Sequence, residues 1–323
     1  MKRIGVLTSG GDAPGMNAAV RAVVRTAVAN EIEVFGVHKG YRGLIDGGIE
    51  RMDARSVSGI IHHGGTILRT ARCPAFMEPP GRALAAEQLS RRGIEGLVVI
   101  GGDGSYRGAH ALAQEHNIAC VGLPGTIDND IGGTEYTIGF DTALNTAVEA
   151  IDRLRDTAAS HGRIFFVELM GRHSGYIAMY SGLAGGAEEM LVPERPTDIN
   201  ALIAELRSER ERGKTSMIVV VAEGDDAGSA YTIAQKVAAA SEFKDTRVAV
   251  IGHLQRGGVP SAFDRVLAAR MGVAGVEALL RGTSDVMVAF ENNGIQTRPI
   301  ADAWETQNNF DPDLFRVARL LRV

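Results

Sequence analysis

The sequence predicts an α/β protein in which mainly parallel sheets carry helices on both faces. Short apolar runs rich in valine and isoleucine recur along the 323 residues without alternating with polar residues. Such runs are typical of strands that are buried on both faces of a parallel sheet. Helical patterns lie between the runs, which predicts a doubly wound α/β fold, and the length allows either two doubly wound α/β domains that share a cleft or one large domain. In this architecture ligands bind beyond the carboxyl ends of the strands, so we expect the active site in a cleft there.

The composition narrows the class of protein. A content of 45% hydrophobic and 23% charged residues is ordinary for a globular protein, and a net charge of −5 does not favour nucleic acid. Cys73 and Cys120 lack metal-ligand spacing. Because no apolar stretch approaches about 18 residues and no secretory signal is visible, we expect a cytoplasmic protein without membrane contact.

Each predicted strand leads into a short segment that contains glycine together with polar residues. The predicted strands are Ile4–Leu7, Leu97–Ile100, Ile118–Leu123, Ile164–Met170, Met217–Ala222 and Val248–Ile251. The 40 glycines cluster at the ends of these runs, which indicates close approach of the backbone to a ligand.

Two helices are predicted in detail. Pro14 is placed as a helix opener. The apolar face of this first helix comprises Met16, Val20, Val23, Val24, Ala27 and Val28. The second helix follows a predicted cap at Asp141 or Thr142. Its apolar face comprises Leu144, Ala147, Val148, Ile151 and Leu154.

The turn Pro124–Asp130 follows a predicted strand and carries two carboxylates. In an extended segment residues two apart point the same way, about 6–7 Å apart, so Asp128 and Asp130 would converge. Such a pair suits metal chelation or removal of a proton from a hydroxyl group. The alternative is an ordinary surface turn rich in Asn and Asp.

Two familiar phosphate motifs are excluded. Gly10 and Gly15 have P-loop spacing, but Met16 stands in place of the lysine. Arg107 stands in place of the third glycine of a dinucleotide fingerprint. Gly10-Gly11 before a helix remains either a phosphate-binding turn or an ordinary tight turn.

The remaining polar groups suggest an anionic ligand. Asp103, which lies between two glycines, is either a Mg²⁺ ligand shared with phosphate oxygens or a helix cap. Five arginines are expected near the same strand edge, together with His253, which favours a bisphosphate-sized ligand: Arg72, Arg163, Arg172, Arg247 and Arg256. Glu223 would accept hydrogen bonds from a ligand rich in hydroxyl groups.

The motifs along the chain together resemble the bacterial ATP-dependent 6-phosphofructokinase family. They are Thr8–Asn17, Gly101–Ser105, Pro124–Asp130, Met170–Arg172 and Gly252–Gly258. The resemblance covers nearly the whole chain in order. It implies transfer of the γ-phosphoryl group of ATP to the 1-hydroxyl of fructose 6-phosphate, the committed step of glycolysis, by an allosteric kinase. It also implies an ATP-binding domain, 1–138 plus 256–305, and a sugar-phosphate-binding domain, 139–255 plus 306–323.

The resemblance also implies roles for individual residues. Asp128 is the expected general base, Thr126 and Arg172 stabilise the transferring group, Asp130 lies close to the reacting centre, and Asp103 is the expected Mg²⁺ ligand. The expected ATP-binding residues are Gly11, Tyr41, Arg72, Cys73, Gly102, Asp103, Gly104 and Ser105. The expected substrate-binding residues are Thr126, Asp128, Arg163, Met170, Gly171, Arg172, Glu223, Arg247, His253 and Arg256.

Regulation and assembly are implied in the same way. In the family Arg163 and Arg247 reach the neighbouring subunit's site, which implies a homotetramer. The expected effector residues, for ADP as activator and phosphoenolpyruvate as inhibitor, are Arg21, Arg25, Arg55, Arg155, Gly186, Glu188, Arg212 and Lys214. Ala54 and Gly59 depart from the charged residues that are common in this segment of the family.

The phosphoryl donor is expected to be ATP. Pyrophosphate-dependent members of the family typically carry aspartate at the position of Gly104 and lysine at the position of Gly125. A non-catalytic metabolite sensor is disfavoured because the catalytic residues are intact. A nucleotide-binding oxidoreductase is disfavoured because the dinucleotide fingerprint is incomplete.

Overall fold

A computed structural model describes residues 1–306 and 311–321, which form two compact units. The first unit combines Met1–Thr142 with residues 256–306, and the second combines Ala143–Gln255 with residues 311–321. The predicted domain segment 306–323 includes residues 307–310 and 322–323, which lie outside the described residues.

The secondary structure alternates between strands and helices along the chain. The strands are β1 (Arg3–Thr8), β2 (Glu33–Val37), β3 (Ile49–Met52), β4 (Gly96–Gly101), β5 (Ala119–Pro124), β6 (Ile164–Leu169), β7 (Glu189–Leu191), β8 (Met217–Ala222), β9 (Thr246–Val250), β10 (Val286–Glu291) and β11 (Gly294–Pro299). The helices are α1 (Met16–Ala29), α2 (Gly40–Asp46), α3 (Pro74–Met77), α4 (Pro79–Arg91), α5 (Asp103–His116), α6 (Phe140–His161), α7 (Tyr176–Ala184), α8 (Ile199–Glu211), α9 (Ala230–Ala240), α10 (Ala262–Leu280), α11 (Asp302–Glu305) and α12 (Pro312–Leu320).

The first unit contains a sheet with the strand order β11-β10-β5-β4-β1-β2-β3. The strands from β10 to β2 run parallel to one another, whereas β3 and β11 pair antiparallel at the two edges. All six residues of β4 are buried, as expected for a central strand that is covered on both faces. The carboxyl ends of β1, β4 and β5 therefore lie side by side.

The second unit contains a parallel sheet with the order β7-β8-β6-β9. All six residues of β8 are buried. The carboxyl ends of β6, β8 and β9 lie at one edge and their amino ends lie at the other. This polarity decides which of the predicted site residues come together.

The six predicted strands are confirmed, and their ends differ from the predicted ones by at most two residues. The predicted α/β class with mainly parallel sheets is confirmed as well. The β10–β11 hairpin was not predicted, although Asn292 and Asn293 carry a signal for it. Both residues have positive φ angles, 50° and 64°, and asparagine is favoured at such tight hairpin turns.

The start of α1 differs from the prediction. Gly15 has a φ of 107° and precedes the helix, so α1 begins at Met16 and Pro14 lies outside it. A helix that followed directly from Pro14 would need right-handed backbone at Gly15. Val28 is 40% exposed and does not belong to the buried face, whereas the other predicted residues of that face are buried.

The amino-terminal cap of α6 comes from a distant residue, so the predicted local cap is wrong. The carboxylate of Asp264, in α10, accepts hydrogen bonds from the backbone amides of Gly139 and Thr142, both at 2.8 Å. The hydroxyl of Thr142 donates to the same carboxylate. Asp264 is fully buried, and this burial raises its pKa to about 6. A carboxylate thus replaces the water that would otherwise bind these helix amides.

Across residues 1–306 and 311–321, no helix has both the length and the apolar character that crossing a membrane requires.

The first stability prediction concerns Asp264→Ala. This change leaves the amides of Gly139 and Thr142 without their acceptor in a buried place, so we expect the free energy of unfolding to fall by about 2–4 kcal/mol. Equilibrium urea unfolding, followed by circular dichroism, measures the loss. The matched control is Asp198→Ala, which removes an exposed cap at α8 and should cost about 1 kcal/mol, since water can replace it. Equal losses in the two variants would contradict the structural role of Asp264.

The second stability prediction concerns pH. An aspartate in the unfolded chain has a pKa near 4, so a folded pKa of about 6 for Asp264 means that the folded state holds the proton more tightly. Its contribution to stability is therefore complete below about pH 4 and is lost as the pH rises through about 6. Because Asp264→Asn cannot titrate, the stability of the wild type relative to this variant should fall by about 2 kcal/mol between pH 4 and pH 8. A difference that is flat or rises with pH would show that the carboxyl group does not titrate in this way.

Candidate active site

Three loops meet at the carboxyl ends of β1, β4 and β5 in the first unit. The amide of Ser9 donates to the carbonyl oxygen of Ile100 at 2.9 Å, and the amide of Gly125 donates to that of Gly101 at 3.0 Å. A Cβ atom at Gly101 would lie 2.5 Å from the carbonyl oxygen of Ser9, so a larger residue would push the loops apart. The chain therefore uses glycine where two of these backbones approach each other.

Asp103 lies in the first turn of α5, directly beyond β4. Its side chain is 45% exposed, and one carboxylate oxygen lies 3.8 Å from Nε of Arg107. A Cβ atom at either Gly102 or Gly104 would meet nothing within 4 Å. This open, glycine-lined turn places a carboxylate and the positive end of a helix dipole at the same point, and the dipole favours anions.

Tyr41 contacts the start of α5 and supports this turn. Its ring is 6% exposed and stacks on Phe76 with a centroid separation of 3.9 Å. Its hydroxyl donates to the carbonyl oxygen of Ser105, and burial raises its pKa well above the usual value. In this structure Tyr41 therefore acts as a neutral donor that holds the start of α5. Arg72 is exposed and Cys73 is half-buried, and both lie just before α3.

The turn after β5 carries the two carboxylates that the sequence analysis singled out. Asp128 is 3% exposed, whereas Asp130 is only partly buried. Thr126 accepts a hydrogen bond from the amide of Asp128 at 3.2 Å. Asn129, between the aspartates, has a φ of 50°, so the segment turns and is not extended. The side chains of Asp128 and Asp130 are therefore not related as residues two apart in a strand are, and the predicted extended geometry is wrong.

Arg256 contributes positive charge to the loop after β1. A Cβ atom at Gly11 would lie 2.0 Å from Nη1 of Arg256, so the guanidinium group lies directly against this glycine. The same nitrogen lies 3.9 Å from a carboxylate oxygen of Asp12. The first unit thus has a guanidinium group at the loop after β1 and carboxylates in the loops after β4 and β5.

In the second unit Glu223 organises the loop after β6. One of its carboxylate oxygens accepts hydrogen bonds from the amides of Gly171, at 3.2 Å, and Arg172, at 2.8 Å. A Cβ atom at Gly224 would lie only 1.8 Å from the carbonyl oxygen of Arg172. Arg172 has a φ of 54°, so its main chain turns sharply at the end of the strand. Glu223 and Arg172 were predicted at one edge from the sequence, and the structure brings these two residues together.

The segment after β9 joins the same edge. The amide of Met170 donates to the side-chain oxygen of Gln255 at 2.9 Å, and Gln255 is fully buried. Gln255 belongs to the short 3₁₀ helix Gly252–Arg256, in which His253 is exposed. His253 and Arg256 were predicted from the sequence, but Gln255 was not, although its side chain holds the segment to Met170, directly after β6.

The expectation that five arginines lie near the same strand edge is wrong for two of them. Arg163 directly precedes β6 and Arg247 lies near the start of β9, at the amino ends of those strands. Both pair with Asp245, at 3.3 Å and 2.6 Å respectively. Within their own unit they therefore lie at the edge opposite to Met170 and Glu223. The predicted strands Ile164–Met170 and Val248–Ile251 already placed both arginines at amino ends, and in a parallel sheet those ends lie opposite to the carboxyl ends.

A second cationic cluster surrounds two buried acids in the second unit. Arg155 donates to the carbonyl oxygen of Gly186 at 2.6 Å and lies 3.6 Å from Glu188. Lys214 lies 3.5 Å from Glu188 and 2.9 Å from Glu209. Glu209 was not predicted, although its position three residues before Arg212, with which it pairs at 3.1 Å, was a signal. Three cations around two carboxylates leave a net positive charge, which suits an anion.

The remaining residues of the expected effector set belong to the first unit. Arg21 and Arg25 lie on α1 outside its buried face, as predicted from their spacing. Arg55 is exposed in a turn where its amide donates to Asp53 at 2.8 Å.

Comparison with protein families identifies the chain over most of its length. A family model described as phosphofructokinase matches residues 3–279. The ATP-dependent 6-phosphofructokinase of Thermotoga neapolitana is 56% identical over 324 residues, which cover 99% of this chain and 100% of that protein. The protein of the same name from Bacillus cytotoxicus is 55% identical over 323 residues, which cover both chains completely.

Solved structures agree with the fold. The phosphofructokinase of Pichia pastoris has a TM-score of 0.89 and 38% identity, and the match covers 94% of this chain but 35% of that one. A pyrophosphate-dependent phosphofructokinase from Marinobacter aquaeolei has a TM-score of 0.86 at 22% identity, covering 100% of this chain and 92% of its own, and shows the fold alone. With a family model that matches most of its residues and relatives that match its whole length, this chain belongs to the phosphofructokinase family.

Proposed function

We propose that the protein transfers the γ-phosphoryl group of ATP to the 1-hydroxyl of fructose 6-phosphate, giving fructose 1,6-bisphosphate and ADP. This is the committed step of glycolysis. The observation that carries the proposal is the edge at which the loops after β1, β4 and β5 meet, with glycine backbone beside the carboxylates of Asp103 and Asp128. Relatives that are 54–56% identical over the whole chain and named for this activity support it.

Asp128 is proposed as the general base. Its carboxylate takes the proton of the 1-hydroxyl group while that oxygen bonds to the γ-phosphorus, and the bond from the γ-phosphorus to the bridging oxygen breaks, leaving ADP. Burial of Asp128 keeps bulk water away from its carboxylate. Thr126 and Arg172 are proposed to stabilise the charge on the transferring group, and Asp130 to support the field around it.

The turn at the start of α5 is the proposed site for the triphosphate. Gly11, Gly102, Gly104 and Ser105 offer backbone close to the phosphates, and we assign Tyr41, Arg72 and Cys73 to the same nucleotide. The exposed carboxylate of Asp103 fits Mg²⁺, because this ion is usually held by one or two carboxylates together with phosphate oxygens and waters. Bound there with ATP, the ion would neutralise negative charge on the phosphates.

The strand ends of the second unit are the proposed sugar-phosphate side. One carboxylate oxygen of Glu223 accepts hydrogen bonds from the amides of Gly171 and Arg172, so the other oxygen is suited to a sugar hydroxyl. Met170, His253 and Arg256 are assigned to the same ligand. The location of Arg163 and Arg247 at the opposite edge agrees with a role in a neighbouring subunit's site. We therefore propose a homotetramer.

The cluster around Glu188 and Glu209 is the proposed effector site. Arg155, Arg212 and Lys214 would bind the phosphates of ADP or the phosphate and carboxylate of phosphoenolpyruvate, with Gly186 and Glu188 beside them. Arg21, Arg25 and Arg55 are assigned to the same function. Since both substrates are charged metabolites, we propose that the enzyme works in the cytoplasm.

Pyrophosphate is the second candidate donor. The open space at Gly104 agrees with ATP, because an aspartate side chain there would extend into the region proposed for the nucleotide. At Gly125 a Cβ atom would lie 3.0 Å from Ile100 and 3.1 Å from Met16, so a lysine there would require its neighbours to shift. Both positions therefore favour ATP. A metabolite sensor is the third candidate, and the intact carboxylates at Asp103 and Asp128 disfavour it.

An assay of products tests the donor. The protein is given fructose 6-phosphate and Mg²⁺ with either ATP or pyrophosphate, and fructose 1,6-bisphosphate is measured. We expect product with ATP and a rate at least about 100-fold lower with pyrophosphate, because the loops offer open space to a nucleotide. Product from pyrophosphate alone would overturn the choice of donor. No product from either donor would favour the sensor.

Replacement of Asp128 tests the base. We expect Asp128→Ala to lower kcat by about 10²–10⁴-fold, since the hydroxyl proton loses its acceptor, and to change KM for fructose 6-phosphate far less. Steady-state kinetics measure both constants. Asp313→Ala is the control, because it removes an exposed acid on α12 that pairs with Arg316 one turn away and should leave kcat unchanged. Near-normal turnover in Asp128→Ala would remove Asp128 from the mechanism.

A further inference from the structure

The turn that carries Asp128 is closed by a second segment, Glu135–Ile138, which returns along it. The amide of Ile138 donates to the carbonyl oxygen of Pro124 at 2.7 Å, and Gly125 and Ile138 form a parallel bridge. This contact fixes the base of the loop. It does not by itself hold the residues between Thr126 and Asp130.

Two buried side chains complete the closure. Thr137 is fully buried and donates from its hydroxyl to the carbonyl oxygen of Thr126 at 2.7 Å. Its amide donates to the side-chain oxygen of Asn129 at 2.9 Å. The side-chain nitrogen of Asn129 donates to the carbonyl oxygen of Glu135 at 3.1 Å. These three hydrogen bonds, which we call the Asn129–Thr137 clasp, hold the turn on both sides of Asp128.

The returning segment is itself attached to the sheet. The amide of Glu135 donates to the carbonyl oxygen of Phe290, in β10, at 2.9 Å. The amide of Phe290 donates to the hydroxyl of Thr134 at 3.0 Å. The clasp therefore links the proposed catalytic turn to β10, in the part of the sheet where β10 pairs antiparallel with β11. A loop held only at its base would have more freedom at the position of Asp128.

Position 129 requires a residue that tolerates a positive φ and that supplies a donor and an acceptor without charge, and asparagine meets all of these requirements. Its φ of 50° favours glycine, asparagine or aspartate. Glycine would form neither side-chain bond. Aspartate would lose the donor to Glu135 and would place a third carboxylate between Asp128 and Asp130. Asparagine, 3% exposed, supplies one donor and one acceptor without charge.

We propose that Asn129 and Thr137 are positioning residues for the general base, and that the clasp holds the carboxylate of Asp128 where the sugar hydroxyl must react. The proposal rests on the function proposed above for Asp128. It concerns residues that need not touch either substrate. Misplacement of a reacting group by about 1 Å can lower a rate by about 100-fold, so such residues are expected to affect kcat more than KM.

The first test compares Thr137→Val with Thr137→Ser. Valine has nearly the same shape but lacks the hydroxyl, so the bond to Thr126 is lost, whereas serine retains it. We expect kcat to fall about 10–100-fold in Thr137→Val, with KM for ATP within about twofold, and to recover in Thr137→Ser. Equal kcat in Thr137→Val and the wild type, or a fall in Thr137→Ser as large as that in Thr137→Val, would overturn the role of this hydroxyl.

The second test uses Asn129→Asp and Asn129→Gly. Both are compatible with the left-handed backbone, and both lose the donor to Glu135. We expect kcat to fall in each, and in Asn129→Asp alone we expect the acid limb of the kcat profile to move up by about one pH unit, because a nearby carboxylate disfavours ionisation of the base. The matched control is Asn117→Asp, at an exposed residue with a φ of 53°, which should behave as wild type. Unchanged kcat in Asn129→Gly, or an unshifted limb in Asn129→Asp, would contradict the proposal.

A measurement without catalysis separates this proposal from the proposed function. Hydrogen–deuterium exchange of the segment Gly125–Asp130 is recorded for the wild type, Thr137→Val and Thr137→Ser. We expect exchange at least about tenfold faster in Thr137→Val and unchanged in Thr137→Ser, since lost tertiary bonds raise the population of open states. Unchanged exchange in Thr137→Val would overturn the clasp even if the enzyme is active. A wild type inactive with either donor would instead refute the proposed function, while the exchange data would still decide whether the clasp exists.

Discussion

The pairing of β4 between β1 and β5 is the constraint on which the candidate site depends. Parallel pairing puts the carboxyl ends of all three strands at one edge, and the loops that follow must then share a small space. Gly101 has no side chain, and this lets the loop after β1 lie against β4. At this edge the amides of Ser9 and Gly125 donate to carbonyl oxygens of β4, so the loops after β1 and β5 are held against the central strand. The close approach of these loops follows from this geometry before any side chain at the site is considered.

Carboxylates that accept backbone amides recur in both units. Asp264 accepts the amides at the start of α6, Glu223 accepts those of Gly171 and Arg172, and Glu188 accepts that of Ile218 at 2.6 Å. In each case the acid satisfies donors that regular secondary structure leaves unpaired. Burying such a charge has a cost, which at Asp264 takes the form of a pKa raised by burial to about 6. The chain thus uses the same chemistry for fold stability and for the orientation of site residues.

Three of the wrong predictions share one cause. Each was inferred from neighbours in sequence. They are the start of α1 at Pro14, the cap of α6 at Asp141 or Thr142, and the extended geometry from Asp128 to Asp130. The actual determinants are a left-handed glycine before α1, a carboxylate from α10, and a left-handed asparagine stabilised by a returning segment. Local patterns indicate that a turn or a helix exists. They do not reveal which partner from elsewhere in the chain sets its geometry.

The amino-acid sequence by itself predicted four things, because each depends on a short pattern of side chains. These are the order of elements, the buried strands, the polar residues after them and the resemblance to a kinase family. The position of Arg163 and Arg247 at amino ends also followed from the predicted strands, which both residues directly precede. Their shared pairing with Asp245 was not legible. The burial of Asp128 and its clasp by Asn129 and Thr137 were also hidden. They depend on hydrogen bonds between residues up to eleven positions apart and on the hydrogen bond from Glu135 to Phe290 in β10. Such contacts exist only once the sheet has formed.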